Sequence, residues 1–301
     1  MNHLFRLIVS LLLLFFIGRS VDWSAVTQAI LALPSLVLVG ALFLQIASAC
    51  VAALRWQLVM RTLAIPASFF FYLASYFKGT FFNQGLPTSI GGDALRILDA
   101  TRITTSKEKA FFGVLIDRLM GVAGLIILNF GALVLGGGIL AFTAELSLGI
   151  LLVLALLALV LLFFLARFSF FQRGGMLAML GRLSQCFRQV NATPGLLLQQ
   201  LGLSLLVHLL AMFAFYILAS GLGLSYPFFV YLVLVPPALL LTVLPVSLAG
   251  WGVREGALVG LFVLIGAPRA TVLTCSLLYG FNNLVASLPG LVVYLRQRGK
   301  L

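Results

Sequence analysis

Charge is what this sequence has least of. Of its 301 residues 9% are charged, seven are Asp or Glu, and two are His. His3 and His208 are far apart and form no cluster with metal-ligand spacing, so neither a metal nor any other cofactor is expected. The three cysteines, Cys50, Cys186 and Cys275, are odd in number and widely separated, which argues against a disulfide framework. No glycine-rich loop of the nucleotide-binding kind is present, so energy for any transport would have to come from ion coupling, a partner or a gradient of the substrate itself. No segment is long and polar enough to form a separate soluble domain, and the chain reads as one membrane unit, 1–301.

Apolar residues fill the space that charge leaves. They make up 62% of the chain, and the mean hydropathy is +1.20. A bilayer core of roughly 30 Å takes about 20 apolar residues per helix. The long Leu, Val and Ala runs lack the alternation of a barrel strand, so the expected fold is an all-α polytopic membrane protein. Six crossings are expected, near residues 4–18, 35–54, 111–136, 146–166, 196–220 and 270–295. The first resembles a signal peptide, but Gly18, Arg19 and Ser20 make a poor cleavage site, so it is read as an uncleaved span. The net charge of +12 is gathered in a few loops and the C-terminal tail, which the positive-inside rule explains without nucleic acid.

Orienting the spans by those basic loops puts Arg167 to Arg188, the tail, the Arg102–Lys107–Lys109 group, and the loop carrying Arg55 and Arg61 on the cytoplasmic side of an inner (plasma) membrane. Both termini then face the cytoplasm. The Arg167 to Arg188 loop, with its interleaved Phe and Leu residues, reads as an amphipathic helix lying on anionic lipid. Two further apolar segments cannot be simple crossings if the alternation is to close. Each must be a broken or re-entrant hairpin, one over 66–103 and one over 226–266, entering from opposite faces. The two carry related motifs, "LPTSIGGDALR" from Leu86 and "LPVSLAGWGVR" from Leu244, at one offset of 158 residues. Oppositely inserted repeats of this type are common in transporters, whose sites lie where broken helices meet.

The motif has a physical reading. Pro87 and Pro245 lack the backbone donor and end a helix, while Gly91, Gly92 and Gly250 are expected to supply the unusual dihedrals of a tight break. A helix restarting inside the membrane exposes N-terminal amides that attract an anion, and Ser89 and Ser247 are placed to cap it. Arg96 and Arg254 would add full positive charge at the same place, in a geometry suited to phosphate. The competing reading is that glycine and proline only shape loops and that the arginines anchor at the interface. Asp93 and Glu255 are expected to pair with these arginines. Asp117 and Arg118 lie either inside a span, where a lone charge costs roughly 2.5 to 3.5 kcal/mol, or at its cytoplasmic mouth. Lys78 reads equally as an interfacial lysine or a third positive charge in the first hairpin, and His208 as a packed polar residue bonded to a neighbouring helix.

"QGLPTSIGGDALRI", "FFGVLIDRLMG" and "LPVSLAGWGVREGAL", in this order across almost the whole chain, resemble the lysylphosphatidylglycerol synthase transmembrane region, also described as a flippase-like integral membrane family. The resemblance implies a multi-helix lipid-translocation module, fused in the founding enzymes to a cytosolic aminoacyl-transferase domain. These 301 residues hold no such domain, so the module is expected to stand alone and lysyl transfer is not expected of it. Asp93, Arg96, Asp117, Arg118, Arg254 and Glu255 are the positions the resemblance connects with substrate. The leading expectation is a flippase for an anionic phospholipid, an aminoacylated lipid or a polyprenyl-phosphate-linked lipid, with both arginines and both helix ends at one polar cavity. The alternative is an intramembrane transferase acting on a lipid-linked phosphate. The partners expected are membrane lipids, with a synthase or a second copy of the chain as further candidates, and no nucleic acid.

Overall fold

The computed structural model describes residues 23–85, 91–168, 175–243 and 250–298, and among them there is helix and no strand. In order these are α1 (Trp23–Leu31), α2 (Ser35–Thr62), α3 (Phe69–Gly85), α4 (Gly91–Thr101), α5 (Lys107–Leu135), α6 (Phe142–Phe164), α7 (Met176–Val190), α8 (Pro194–Gly221), α9 (Phe228–Val243), α10 (Val253–Val263), α11 (Arg269–Ser287) and α12 (Pro289–Arg298). Five stretches among the described residues are long and apolar enough to cross a bilayer: α2, α5, α6, α8 and the run Arg269–Gln297 through α11 and α12. They coincide with five of the expected crossings. The sixth, 4–18, lies outside the described residues. Helix starts follow from their capping chemistry: the Ser106 hydroxyl accepts from the Lys109 amide before α5, and Thr193 accepts from Leu196 before α8, where Pro194 needs no donor.

The chain repeats itself in space. α2 and α8 each have 28 residues. Each is followed by a residue in the left-handed region, Ala64 with φ 61° and Gly223 with φ 87°. A tyrosine then ties each turn: Tyr72 Oη donates to the Ile65 carbonyl at 2.5 Å, and Tyr231 Oη to the Leu224 carbonyl at 2.6 Å. Behind them Trp56 stands edge-on to Tyr72, and Phe215 lies against Tyr231. These paired positions keep one spacing, 159 residues, as from Ala64 to Gly223. The hairpins follow, α3 with α4 and α9 with α10, and both second arms have 11 residues.

The two repeats are inverted. α2 and α8 run antiparallel: Gly40 faces Ile217, Ser48 Oγ donates to the Val207 carbonyl, and Arg55 reaches Ser204. The base of the first hairpin (Ile65, Tyr72, Ala100) packs with Trp56 and Met60 near the C-terminal end of α2. The base of the second (Leu224, Tyr231, Phe262) packs in the cluster that holds Leu33, where Gly221 also meets Leu33 and Val37, at the other end of α2. Each hairpin therefore enters from its own end of the bundle.

Backbone polar groups freed inside an apolar bundle must find partners. Pro236 and Pro237 lie inside α9 and cannot bond the carbonyls one turn back, those of Leu232 and Val233. Asn129 of α5, fully buried, donates its amide to both oxygens at 2.9 Å. One side chain thus repairs both gaps.

α7 corrects the sequence reading. Part of its apolar face is covered by protein, since Leu183, Phe187 and Val190 are buried against Val59, Leu63, Phe112 and Ile116, while Phe168, Met176 and Met179 are exposed and residues 169–174 of the expected helix lie outside the described residues. Burial against protein gives the same amphipathic pattern as burial in a membrane surface. Six exposed basic residues, Arg61, Arg102, Lys107, Lys109, Arg167 and Arg182, lie toward the end of the bundle where the first hairpin is based, whereas the exposed Arg269 starts α11 at the base of the second.

Candidate functional site

A cavity of about 320 Å³ opens between the two hairpins, α2, α5 and α8, lined by Arg55 of α2, Tyr76, Thr80 and Asn83 of α3, Asp93 and Arg96 of α4, Asp117 and Arg118 of α5, His208 of α8, and Thr242 of α9, among others. α5 brings its charges there because it starts at Lys107, well before them. Asp117 lies ten residues in, roughly 15 Å along at about 1.5 Å per residue. It is therefore inside the span and not at its mouth, and its relative exposure is 1%.

The charges form a chain of alternating sign. Arg55 Nε donates to Asp117 Oδ1 at 2.9 Å, and Arg96 to Asp117 Oδ2 at 2.6 Å and to Asp93 at 3.2 Å. Arg118 pairs with the other oxygen of Asp93, and Arg55 also donates to Ser204. Three guanidiniums and two carboxylates thus hold each other across α2, α4 and α5. The Arg96 guanidinium further lies over the Trp56 ring, 4.2 Å from its centroid, and near Tyr76 at 4.9 Å. Arg96 Nε has no hydrogen-bond partner among the described residues. Arg118 is the outermost of the three, its side chain 33% exposed. His208 is bonded to the Gly121 carbonyl of α5 at 2.8 Å, the packed role expected of it, and also faces the cavity.

Glycines at the first break act by smallness. Gly92 does not have positive φ, against expectation. A Cβ on Gly92 would come within 1.8 Å of the Gly79 carbonyl oxygen, so the close crossing of α3 and α4 is what requires glycine. The Gly92 amide donates to Asn83 Oδ1 at 2.8 Å. In the second break the dihedral argument holds, with φ 81° at Gly250 and 83° at Gly252. There the Glu255 carboxylate accepts from the Gly252 amide at 2.6 Å and caps α10. Pro87, Ser89, Pro245 and Ser247 lie outside the described residues; the caps seen are Asn83 and Glu255.

Arg254 differs from Arg96. It bonds the adjacent Glu255 at 2.5 Å, approaches Ser276 at 3.4 Å, and lies near Trp251 and Tyr279. It shares no partner with Arg96 and is not among the residues lining the cavity. Among the described residues the two arginines thus belong to different hydrogen-bond networks, Arg96 with Asp93 and Asp117 and Arg254 with Glu255.

Several participants were not foreseen. Arg55 was assigned to a cytoplasmic loop, but α2 runs on to Thr62 and buries it; an arginine followed at once by a tryptophan in an apolar run was the available signal. Lys78 is buried, its Nζ donating to Asp99 at 2.7 Å and to Gln297 at 2.8 Å, which ties α3 to α4 and α12. It is a structural third charge of the first hairpin, not an interfacial lysine. Asp99 had no signal beyond being an acid in a poor field of acids.

A second cavity adjoins the first. It has a volume of about 410 Å³ and is lined by Ile97, Phe111, Val114, Leu115, Leu119 and the shared residues Asp93, Arg118, Val122 and Val243. It is a greasy groove between α4 and α5 that runs from the ion network toward the basic end of the bundle.

These features define a class: a polytopic helical membrane protein with an inverted repeat and a buried mixed-charge cavity that opens into an apolar groove. The chain belongs to the family of the lysylphosphatidylglycerol synthase transmembrane region, whose profile matches residues 3–290. No curated protein matches the chain. Family membership connects the protein with membrane lipids.

Proposed function

We propose that the protein moves an anionic lipid between leaflets, holding the headgroup in the charged cavity while the acyl chains occupy the adjoining groove and the bilayer. The observation that carries this reading is the continuity of the two spaces, one lined by three arginines and the other almost wholly apolar, with Asp93 and Arg118 at their junction. A phosphate accepts several charge-assisted hydrogen bonds at once, and arginine offers them in a matching fork. Removing such a group from water costs several kcal/mol, so a site for it needs cations already in place. Asp93 and Asp117 hold those cations while the cavity is empty of lipid and release them to the phosphate. Arg254 with Glu255 serves as a strut that keeps the second hairpin stiff. The basic end of the bundle faces the cytoplasm of an inner membrane, with both termini on that side. Each carboxylate in the cavity is engaged by two guanidiniums, which suits a clamp better than the free base a transferase would need.

The test is reconstitution in liposomes carrying a fluorescent anionic phospholipid in both leaflets, with dithionite bleaching of the outer one. The purified parent is expected to expose the inner pool to bleaching, and Arg96→Gln to abolish this while keeping its fold by circular dichroism. A parent that leaves the inner pool protected overturns the reading. Chemical conversion of a lipid-linked phosphate by the same preparation replaces it with the transferase.

A further inference from the structure

The charged residues lining the main cavity are Arg55, Asp93, Arg96, Asp117 and Arg118. Three arginines and two aspartates leave a surplus of one positive charge when His208, whose ring nitrogen is bonded to the Gly121 carbonyl, is counted as uncharged. Residues 86–90 and 244–249, outside the described residues, include no charged residue. Other buried ions are neutralised elsewhere: Lys78 by Asp99, and Arg254 by Glu255.

We propose that the cavity selects lipids by net headgroup charge and takes those carrying a single negative charge, the phosphodiester headgroups without an amine. This rests on the transport reading above and specifies its substrate. The physical reason is that a site closed off from water holds an uncompensated charge only at a large penalty, so the occupied cavity is most stable when its total is zero. One phosphodiester anion brings it to zero. A zwitterionic headgroup leaves the surplus in place, a phosphomonoester with two charges reverses it, and a headgroup with a second amine raises it. Arg118 is the cation that answers first, because it is the most exposed of the three, its side chain 33% exposed against 5% for Arg96 and Arg55. The incoming phosphate takes the place of the Asp93 oxygen at Arg118, and the freed carboxylate stays neutralised by Arg96. No bond is made or broken in this exchange.

The same arithmetic predicts how the preference moves when the cavity charge is changed. Arg118→Gln sets the cavity to zero and shifts the optimum to a zwitterion; Asp93→Asn sets it to two positive charges and shifts the optimum to a doubly charged phosphomonoester. The experiment measures flipping rates in liposomes for four fluorescent lipids with the same acyl chains: phosphatidylglycerol, phosphatidylethanolamine, phosphatidic acid and lysylphosphatidylglycerol. The parent is expected to move phosphatidylglycerol about tenfold or more faster than the others, the ratio that a difference of one tenfold step in stability gives. Arg118→Gln should move phosphatidylethanolamine best. A parent that transports all four equally, or prefers another charge, overturns the inference while leaving transport standing. A parent that transports none overturns the transport reading itself. Should one variant fail to fold, the other carries the comparison, because the two shift the optimum in opposite directions.

Discussion

Arg96 and Arg254 end matching motifs in the two repeats, yet they are held in different ways. Arg96 reaches across to Asp117 on α5 as well as to Asp93 on its own helix, and it faces a cavity. Arg254 is satisfied by the residue next to it. The hairpins differ likewise below their tips. At the position where the first repeat has Lys78, tied to Asp99 and Gln297, the second has Pro237, whose freed carbonyl partner is served by Asn129. Duplicated geometry has thus been kept together by ions in one half and by backbone repair in the other. The lesson is that an inverted repeat supplies two equivalent scaffolds that can carry different charge networks: in the first half the cations are held from other helices, and in the second Arg254 is held by the residue next to it.

The largest effect that would separate the halves is expected from Asp117→Ala, which leaves Arg55 and Arg96 buried without a common counter-ion. Removing one partner of a buried pair costs about 3–5 kcal/mol, and here two pairs lose it. The detergent-solubilised protein should lose most of its thermal stability, more than with Glu255→Gln, which strands one arginine. Equal losses would mean that the two networks weigh the same.

Gly92→Ala comes next. Its methyl group would overlap the Gly79 carbonyl and force α3 and α4 apart, where Gly250→Ala meets a side-chain carbon of Thr242 at 2.7 Å and a left-handed dihedral. The dihedral strain amounts to about 1–3 kcal/mol, and the backbone overlap should exceed it. Thermal melting of the two variants ranks them, and the reverse order would contradict the close crossing of the first hairpin.

Asn129→Leu removes the donor for two buried carbonyls in the second repeat. Each unsatisfied group costs about 1–3 kcal/mol, so the melting temperature should fall clearly, and hydrogen exchange should rise in α9 while α3 stays protected. Exchange spread evenly over both hairpins would contradict this assignment.

Tyr72→Phe and Tyr231→Phe should each cost about 1 kcal/mol, the net worth of one hydrogen bond. Equality between them is the point, since both tie the same turn in their repeats. The smallest effect belongs to Arg182→Gln, which breaks an exposed pair with Glu108 and should change stability by about 0–1 kcal/mol.

The fold was legible because its signals are local. Unbroken apolar runs marked the five crossings, and the repeated Pro, Ser, Gly and Arg pattern marked both hairpins. The site was legible in part. Asp93, Arg96, Asp117 and Arg118 stood out as charges in apolar surroundings, and the structure gathers all four. Arg55 was missed because a basic residue near the end of an apolar run looks the same whether the helix stops or continues. Asn129 was invisible, since what calls for it is a pair of prolines 107 and 108 residues further on. The pairing of Arg254 with Glu255 followed expectation, but the motif match did not reveal that Arg254 is absent from the residues lining the cavity. Sequence spacing reports which residues share a helix; it does not report which charges remain available to a ligand.

The central claim is that an anionic lipid occupies the cavity at Arg96 and Arg118 with its chains in the α4–α5 groove. The most direct measurement is photo-crosslinking with an anionic phospholipid carrying a diazirine near the glycerol, followed by peptide mapping. The account predicts labelling in Asp93–Ile97 and Phe111–Val122 that unlabelled phosphatidylglycerol displaces and that Arg96→Gln reduces. Labelling confined to the lipid-facing surface of α6, unchanged by competitor or by the substitution, would contradict it.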